Sequence, residues 1–170
     1  MADRLSLITR LFTPTKESTQ QEKSEYEQAA TEDGERLTRG ILDKWKTMYF
    51  YIEQGEYTMP SWLKNIKGKR PDFVAFTGTT NEIILIDAKF RDLSYPDFIV
   101  KKDEIEKFER TSAALQSINI VAHVVFIFPI GGMSEDAFFV HTLEDLKSAS
   151  TIVIKEIEYQ SIPKGTIYTV

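Results

Sequence analysis

The chain has 170 residues, 42% of them hydrophobic, and a formal net charge of −5. This length corresponds to one domain with its own hydrophobic core, and the apolar content excludes disorder of the whole chain. Because there are no cysteines, disulfides, thiolate zinc sites and a cysteine nucleophile are excluded, and a reducing compartment is expected. No apolar run approaches the roughly 18 residues of a membrane span. We therefore expect a soluble, cytoplasmic protein with no membrane partner.

The N-terminal part is predicted to be an arm. Residues 1–12 are expected to form a short helix, and residues 13–24 are polar without an apolar period, which is typical of a linker. The domain is then expected over 25–170. It should begin with a helix from about Glu25 to about Tyr49, because apolar and small residues recur there at three- and four-residue spacing. A short strand is expected between residue 50 and Pro60.

A β-hairpin is the clearest local pattern in the sequence. Residues 73–76 and 83–86 are short apolar runs, and a turn cluster of Gly, Thr and Asn lies between them. Both runs are apolar on both faces, so these strands should lie centrally in a covered sheet.

The second half of the chain alternates further predicted elements. They are a loop at 92–98, a helix at Val100–Ser117, strands at Val121–Phe128 and Ala137–His141, a helix at Thr142–Ser148 capped by Thr142, and strands at Thr151–Tyr159 and Thr166–Val170. This order predicts an α/β fold with a mixed central sheet flanked by helices.

Two acids are predicted to face each other on the hairpin. With the turn centred between Thr79 and Thr80, Asp72 lies opposite Asp87, and opposed Cβ atoms are about 4.5–5.5 Å apart. Facing carboxylates repel each other unless a cation lies between them, and Mg²⁺ or Mn²⁺ takes such oxygen ligands. The carbonyl of Ala88 is a further candidate ligand.

Lys89 lies two residues beyond Asp87, so its side chain should project to the same face. An ammonium there would orient or help deprotonate a water, or neutralise charge on phosphorus, beside a metal acting as a Lewis acid. The alternative interpretation is a solvent-facing set of salt bridges at the strand ends, which a D…DxK pattern also permits.

These residues resemble a known family. Pro71-Asp72 followed by Asp87-Ala88-Lys89 is similar to the motif of the PD-(D/E)xK, or restriction endonuclease-like, nuclease superfamily. The resemblance covers roughly residues 25–141 and is greatest to Holliday-junction resolvases, because of the small size and the early acidic helix. It implies a restriction endonuclease-like fold and a Mg²⁺-dependent endonuclease that hydrolyses DNA phosphodiester bonds as a homodimer. RNA remains an alternative substrate.

The resemblance also implies a further acid from the first helix. Glu35, within Gly34-Glu35-Arg36-Leu37, is the residue we expect as an additional metal ligand and catalytic acid. Glu32 is the alternative, and both could instead be ordinary surface acids of an amphipathic helix.

Positive charge is concentrated around the predicted site. Residues 64–102 contain eight Lys or Arg and five Asp or Glu, a net charge of +3 that leaves −8 for the rest of the chain. The predicted phosphate contacts are Lys67, Lys69, Arg70, Arg91, Lys101 and Lys102. A solvated surface is the alternative interpretation of this cluster.

A second function remains open on the sequence alone. The same fold without catalysis could serve as a binding or assembly subunit. In that case the apolar stripe at Leu5–Phe12 of the arm would dock on a protein partner.

Overall fold

The computed structural model describes residues 11–12, 25–54, 59–79, 81–89, 96–130 and 137–169, with the backbone alone for 25–32. The helices are α1 (Glu25–Lys44), α2 (Ser61–Asn65), α3 (Lys102–Gln116) and α4 (Leu143–Ser148). The strands are β1 (Tyr49–Tyr51), β2 (Phe73–Phe76), β3 (Glu82–Ala88), β4 (Asp97–Lys101), β5 (Val121–Pro129), β6 (Ala137–Thr142), β7 (Ser150–Ile154), β8 (Ile157–Pro163) and β9 (Tyr168–Thr169). No helix within these ranges is long and apolar enough to cross a membrane.

The strands form two sheets. The larger sheet has the order β1-β2-β3-β5-β6-β9, in which β3 and β5 run parallel and the other neighbours antiparallel. The smaller sheet has the order β4-β8-β7 and is antiparallel. The expected α/β class with a mixed central sheet is confirmed. The hairpin strands β2 and β3 are both interior, as expected for runs that are apolar on both faces.

Side chains alternate between the two faces of the larger sheet, as the two-residue period of a strand requires. One face, here called the α3 face, packs against Ile105 and Phe108 of α3. Its buried strand residues include Val74, Ile83, Leu85, Val124 and Phe126. The other, here called the α1 face, packs against Ile41 and Leu42 of α1. Its buried strand residues include Phe73, Ala75, Ile86 and Ile127.

Several predicted boundaries differ from the structure. The first helix ends at Lys44 rather than near Tyr49, and Lys46 beyond it has a left-handed φ of 53°. The helix α2 was not predicted. The predicted loop at 92–98 overlaps strand β4, which pairs with β8 more than fifty residues later in the chain. A local pattern carries no signal for such a distant partner.

The single strand predicted at Thr151–Tyr159 is wrong. The segment forms two antiparallel strands, β7 and β8, joined at Lys155 and Glu156. These two residues have φ values of 48° and 66°, and two successive positive φ angles are typical of a type I′ turn. Asn-Gly is the usual sequence for that turn, so the pair Lys-Glu gave no turn signal.

Replacing Lys155 and Glu156 by Asn and Gly is expected to raise the free energy of unfolding by about 1 kcal/mol, because both residues then adopt left-handed backbone with less strain. Urea unfolding followed by circular dichroism measures this change. The matched control changes both residues to Ala, which removes the same charges and keeps the Cβ atoms. An Asn-Gly variant no more stable than the Ala-Ala control contradicts the turn assignment.

The end of the N-terminal arm packs on the domain. Phe12 is buried in the core of the α3 face, with its ring centroid 6.0 Å from that of Trp62. The indole N–H of Trp62 donates to the carbonyl of Leu11. The rest of the predicted arm, helix and linker alike, lies outside the described residues. At least Phe12, the last residue of the apolar stripe at Leu5–Phe12, therefore packs against this chain's own core.

Candidate active site

Strand pairing brings Asp72 opposite Asp87. The register of β2 with β3 runs from Phe76↔Ile83 to Phe73↔Ile86, and the N–H of Asp72 donates to the carbonyl of Ile86 at 2.9 Å. Continuing that register by one residue places Asp72 against Asp87, so the register predicted from the sequence is confirmed. By alternation with the buried residues of their strands, both side chains belong to the α3 face.

Burial contradicts the interpretation of these residues as a surface set of salt bridges. Asp72 is 8% exposed, Asp87 1% and Lys89 9%. Charged side chains are rarely buried to this extent unless they are paired or bind a ligand, because removing a charge from water is costly. The three residues therefore form a buried polar site at the carboxyl end of β3.

Four side chains of this site alternate in charge, and we call them the charge ring: Asp87, Lys89, Glu104 and Lys69. Lys89 Nζ lies 2.6 Å from Asp87 Oδ2 and 2.5 Å from Glu104 Oε1. Lys69 Nζ lies 3.3 Å from Asp87 Oδ1 and forms an ion pair with the same Glu104 oxygen. Each carboxylate thus touches both ammonium groups.

Contacts with α3 explain how Lys69 reaches the site. The hydroxyl of Thr111 on α3 accepts a hydrogen bond from the N–H of Lys69 at 2.9 Å and lies 3.0 Å from its carbonyl oxygen. The preceding Gly68 approaches α3 so closely that a Cβ there would lie 2.6 Å from the Thr111 hydroxyl. Glu104 comes from the first turn of the same helix. One helix therefore positions half of the charge ring.

The two aspartates have opposite pKa shifts. Burial and then the charge of Asp87 raise the pKa of Asp72 to about 7, although Lys89 and the N–H of Ala88, 2.7 Å from Asp72 Oδ2, oppose this. Burial also opposes ionisation of Asp87, but Lys69 and Lys89 hold the pKa of that carboxyl below its usual value. The lysines therefore favour the ionised form of Asp87, whereas Asp72 binds a proton more readily than an ordinary aspartate does.

Burial likewise changes the ammonium beside them. It lowers the pKa of Lys89 to about 8, and the neighbouring charge of Lys69 adds to this, while Asp87 and Asp72 oppose it. A lysine with a pKa near the working pH can both stabilise negative charge and exchange a proton.

The donor set fits a hard divalent cation. Asp87 Oδ2 is fully buried and, within the described residues, forms its ion pair with Lys89 but no hydrogen bond of acceptable geometry. In the same part of the chain, no three His, Cys, Asp or Glu side chains lie close enough to hold a metal together. Mg²⁺ is commonly bound by one or two carboxylates, with waters and substrate phosphates completing its shell. Two facing aspartates therefore supply as many carboxylate ligands as such a Mg²⁺ site commonly has.

Glu35 lies on α1, which covers the opposite face of the sheet. It is 8% exposed and accepts a hydrogen bond from the phenol of Tyr51 at 2.6 Å. Burial and this bond raise the pKa of Tyr51, and the charge of Asp72 adds to the shift. The predicted grouping of Glu35 with both aspartates is not found among the described side chains, because α1 approaches from the other face. Its role as a ligand stays a prediction.

Side-chain hydrogen bonds of Gln54 fix the segment that leads into β2. The amide nitrogen of Gln54 donates to the carbonyls of Ile52 and Pro71, each at 2.9 Å. Arg70 Nε donates to the Gln54 side-chain oxygen at 3.1 Å. No sequence pattern predicts a role for Gln54, Tyr51, Glu104 or Thr111. Only the fold, and no local motif, brings them to the site.

The six predicted phosphate contacts do not lie together. Lys69 and Arg70 lie in the site, and the charge of Asp72 acts on the Arg70 guanidinium. Lys101 and Lys102 are at the start of α3, close in sequence to Glu104, and Lys102 pairs with Glu158 at 2.8 Å. Lys67 follows α2, where its carbonyl accepts from Arg110. Arg91 lies outside the described residues.

No protein-family model and no curated protein matches the sequence. Among solved structures, the chain is similar to Archaeoglobus fulgidus Hjc, a Holliday junction resolvase from an archaeal hyperthermophile. The identity is 16% over 74% of this chain and 87% of that chain, with a TM-score of 0.40. A similarity of this size leaves the function to be inferred from the side chains themselves.

Proposed function

We propose that the protein is a Mg²⁺-dependent endonuclease of the PD-(D/E)xK type that hydrolyses DNA phosphodiester bonds. One observation carries the proposal: Asp72 and Asp87 are buried opposite each other on one sheet face, with Lys89 two residues further along the strand. A strongly shifted carboxyl beside a second buried carboxylate and a lysine is typical of a functional site.

The aspartates and the carbonyl of Ala88 would hold the cation. When bound there, Mg²⁺ or Mn²⁺ would supply Lewis acidity towards a phosphate oxygen and lower the pKa of a water. Glu35, the further metal ligand and catalytic acid that the resemblance implies, accepts a hydrogen bond from the phenol of Tyr51 and would join the cation from the α1 face.

The basic side chains of the protein would have separate roles. Lys89, held between Asp87 and Glu104, would orient the attacking water and neutralise charge that develops on the phosphate. Lys69 offers a second ammonium to a phosphate oxygen. Lys67, Arg70, Arg91, Lys101 and Lys102 would contact the nucleic-acid backbone.

The finer proposal is cleavage of branched DNA. Symmetric cutting of two strands needs two sites, so a homodimer is expected. The net charge of −5 disfavours tight binding to arbitrary duplex, because non-specific affinity depends on phosphate neutralisation.

The test is a cleavage assay on four substrates of matched sequence: a four-way DNA junction, linear duplex DNA, single-stranded DNA and RNA. Each is incubated with Mg²⁺, with Mn²⁺ or with EDTA. We expect cleavage only with a divalent cation and fastest on the junction. Binding of DNA without cleavage under either metal would support the non-catalytic subunit instead. Cleavage of RNA alone would correct the substrate.

Replacing Lys89 with Met is expected to slow cleavage about 100-fold, because the side chain keeps most of its length and loses the charge that acts on the phosphate. Stabilisation of the fold by Mg²⁺, measured as a shift in Tm, should remain. Lys147→Met is the matched control, since Lys147 pairs with Glu109 at the surface. An unchanged cleavage rate in the Lys89 variant would remove this lysine from the mechanism.

A further inference from the structure

Glu104 touches both ammonium groups of the site, yet no motif in the sequence marks it. We propose that Glu104 and Lys69 set the affinity of the Asp72–Asp87 pair for a divalent cation: Lys69 competes with the cation for Asp87, and Glu104 retains Lys69 when the cation displaces it. Glu104 is thus a positioning residue. This inference rests on the proposed function, since it concerns the cation of the same site.

Both oxygens of Asp87 are engaged by ammonium groups. Lys69 Nζ lies 3.3 Å from Oδ1, and Lys89 Nζ lies 2.6 Å from Oδ2. Mg²⁺ binds carboxylate oxygens at about 2.1 Å and demands near-octahedral geometry. An ammonium beside the same carboxylate also repels a dication in a poorly solvated site. The cation and the two ammonium groups therefore compete for the same carboxylate.

Lys69 is the lysine that can move. Its side chain is 27% exposed, against 10% for Lys89, and its contact with Asp87 is the longer of the two. Glu104 already pairs with it, and its ammonium lies 5.6 Å from the ring centroid of Phe108. A displaced Lys69 ammonium therefore keeps a carboxylate partner.

The charge balance gives each substitution a direction. Lys69 and Glu104 both belong to the charge ring around Asp87 and have opposite charges. Lys69→Met removes one positive charge and should tighten Mg²⁺ binding about tenfold, whereas Glu104→Gln removes one negative charge and should weaken it about tenfold. The double variant should return near the wild-type affinity. A purely structural role would weaken binding in every variant.

The experiment is isothermal titration of the intact protein with Mg²⁺ alone, without nucleic acid, at fixed pH and ionic strength. Urea unfolding of each variant identifies those that still fold. Glu109→Gln and Lys147→Met are matched controls from a surface ion pair and should bind as wild type does. Opposite changes in Kd for Lys69→Met and Glu104→Gln support the inference. A Kd that is unchanged or higher in a folded Lys69→Met variant overturns it, as does a wild type that binds no Mg²⁺.

The outcomes separate this inference from the proposed nuclease. A wild type that binds Mg²⁺ but cuts no substrate, with Kd values changing in opposite directions, would overturn the nuclease and leave the charge ring as the determinant of affinity. A wild type that cuts junctions, with a Kd for Mg²⁺ that neither substitution changes, would support the nuclease and overturn the inference about the charge ring.

Discussion

Replacing Asp87 with Asn is expected to lower the metal-dependent cleavage rate about 1,000-fold or more. The substitution keeps the shape of the side chain and removes a carboxylate that contacts both Lys69 and Lys89. It removes an anionic ligand and also takes from both ammonium groups one of the two carboxylates that they share, the other being Glu104. Loss of metal affinity and loss of orientation both act against the transition state.

Single-turnover cleavage of the junction substrate at saturating Mg²⁺ measures the chemical step. Asp103→Asn is the matched control, because Asp103 is an exposed acid of α3 that pairs with Lys107 at 2.5 Å. It should cut as the wild type does. A folded Asp87→Asn protein that cuts within tenfold of wild type would show that the metal site lies elsewhere.

The aspartate pair could be predicted because its determinants are local. Two apolar runs placed symmetrically about one turn fix a hairpin register, and the two-residue period of a strand then fixes which side chains share a face. Asp72 and Asp87 follow from that register without knowledge of the rest of the fold. The same reasoning placed both strands in the interior of the sheet.

Glu104 and Lys69 could not be joined to the site in this way. Their encounter depends on the contact of Gly68 and Lys69 with Thr111, 42 residues after Lys69. Only the docking of α3 on the sheet creates it. For Glu35 the limitation differs: an amphipathic pattern shows that a helix has a buried side, but it does not say which face of the sheet that side covers. The structure places α1 on the face opposite the aspartates.

The site has a cost in stability when no cation is bound. Asp72 is buried beside another carboxylate, and its pKa of about 7 compares with an ordinary value of 3.8. The folded protein therefore binds this proton more tightly than the unfolded chain does. The resulting stabilisation is complete below about pH 4 and is lost as the pH rises to about 7. Above that pH, the fold contains a charged Asp72 that water would solvate better.

Replacing Asp72 with Asn should reverse this cost. The amide cannot ionise, and its oxygen can accept the hydrogen bond that Ala88 N–H donates to Asp72. At pH 8 without metal, we expect the free energy of unfolding of the variant to be roughly 4 kcal/mol higher than that of the wild type. This follows from the shift of the Asp72 pKa from 3.8 to about 7, since one pKa unit corresponds to about 1.4 kcal/mol. At pH 4 the two proteins should differ little, because wild-type Asp72 is then largely protonated.

Urea unfolding at several pH values, with and without Mg²⁺, measures both halves of this expectation. His141, whose pKa burial lowers, titrates in both proteins and cancels in the difference between them. Mg²⁺ at pH 8 should stabilise wild type and have little effect on Asp72→Asn, because the variant has lost one of two anionic ligands. If the difference in free energy of unfolding between the two proteins does not grow with pH, Asp72 is not the acid whose ionisation destabilises the fold. If the difference grows and the variant no longer responds to Mg²⁺, the repulsion between the aspartates is what cation binding relieves.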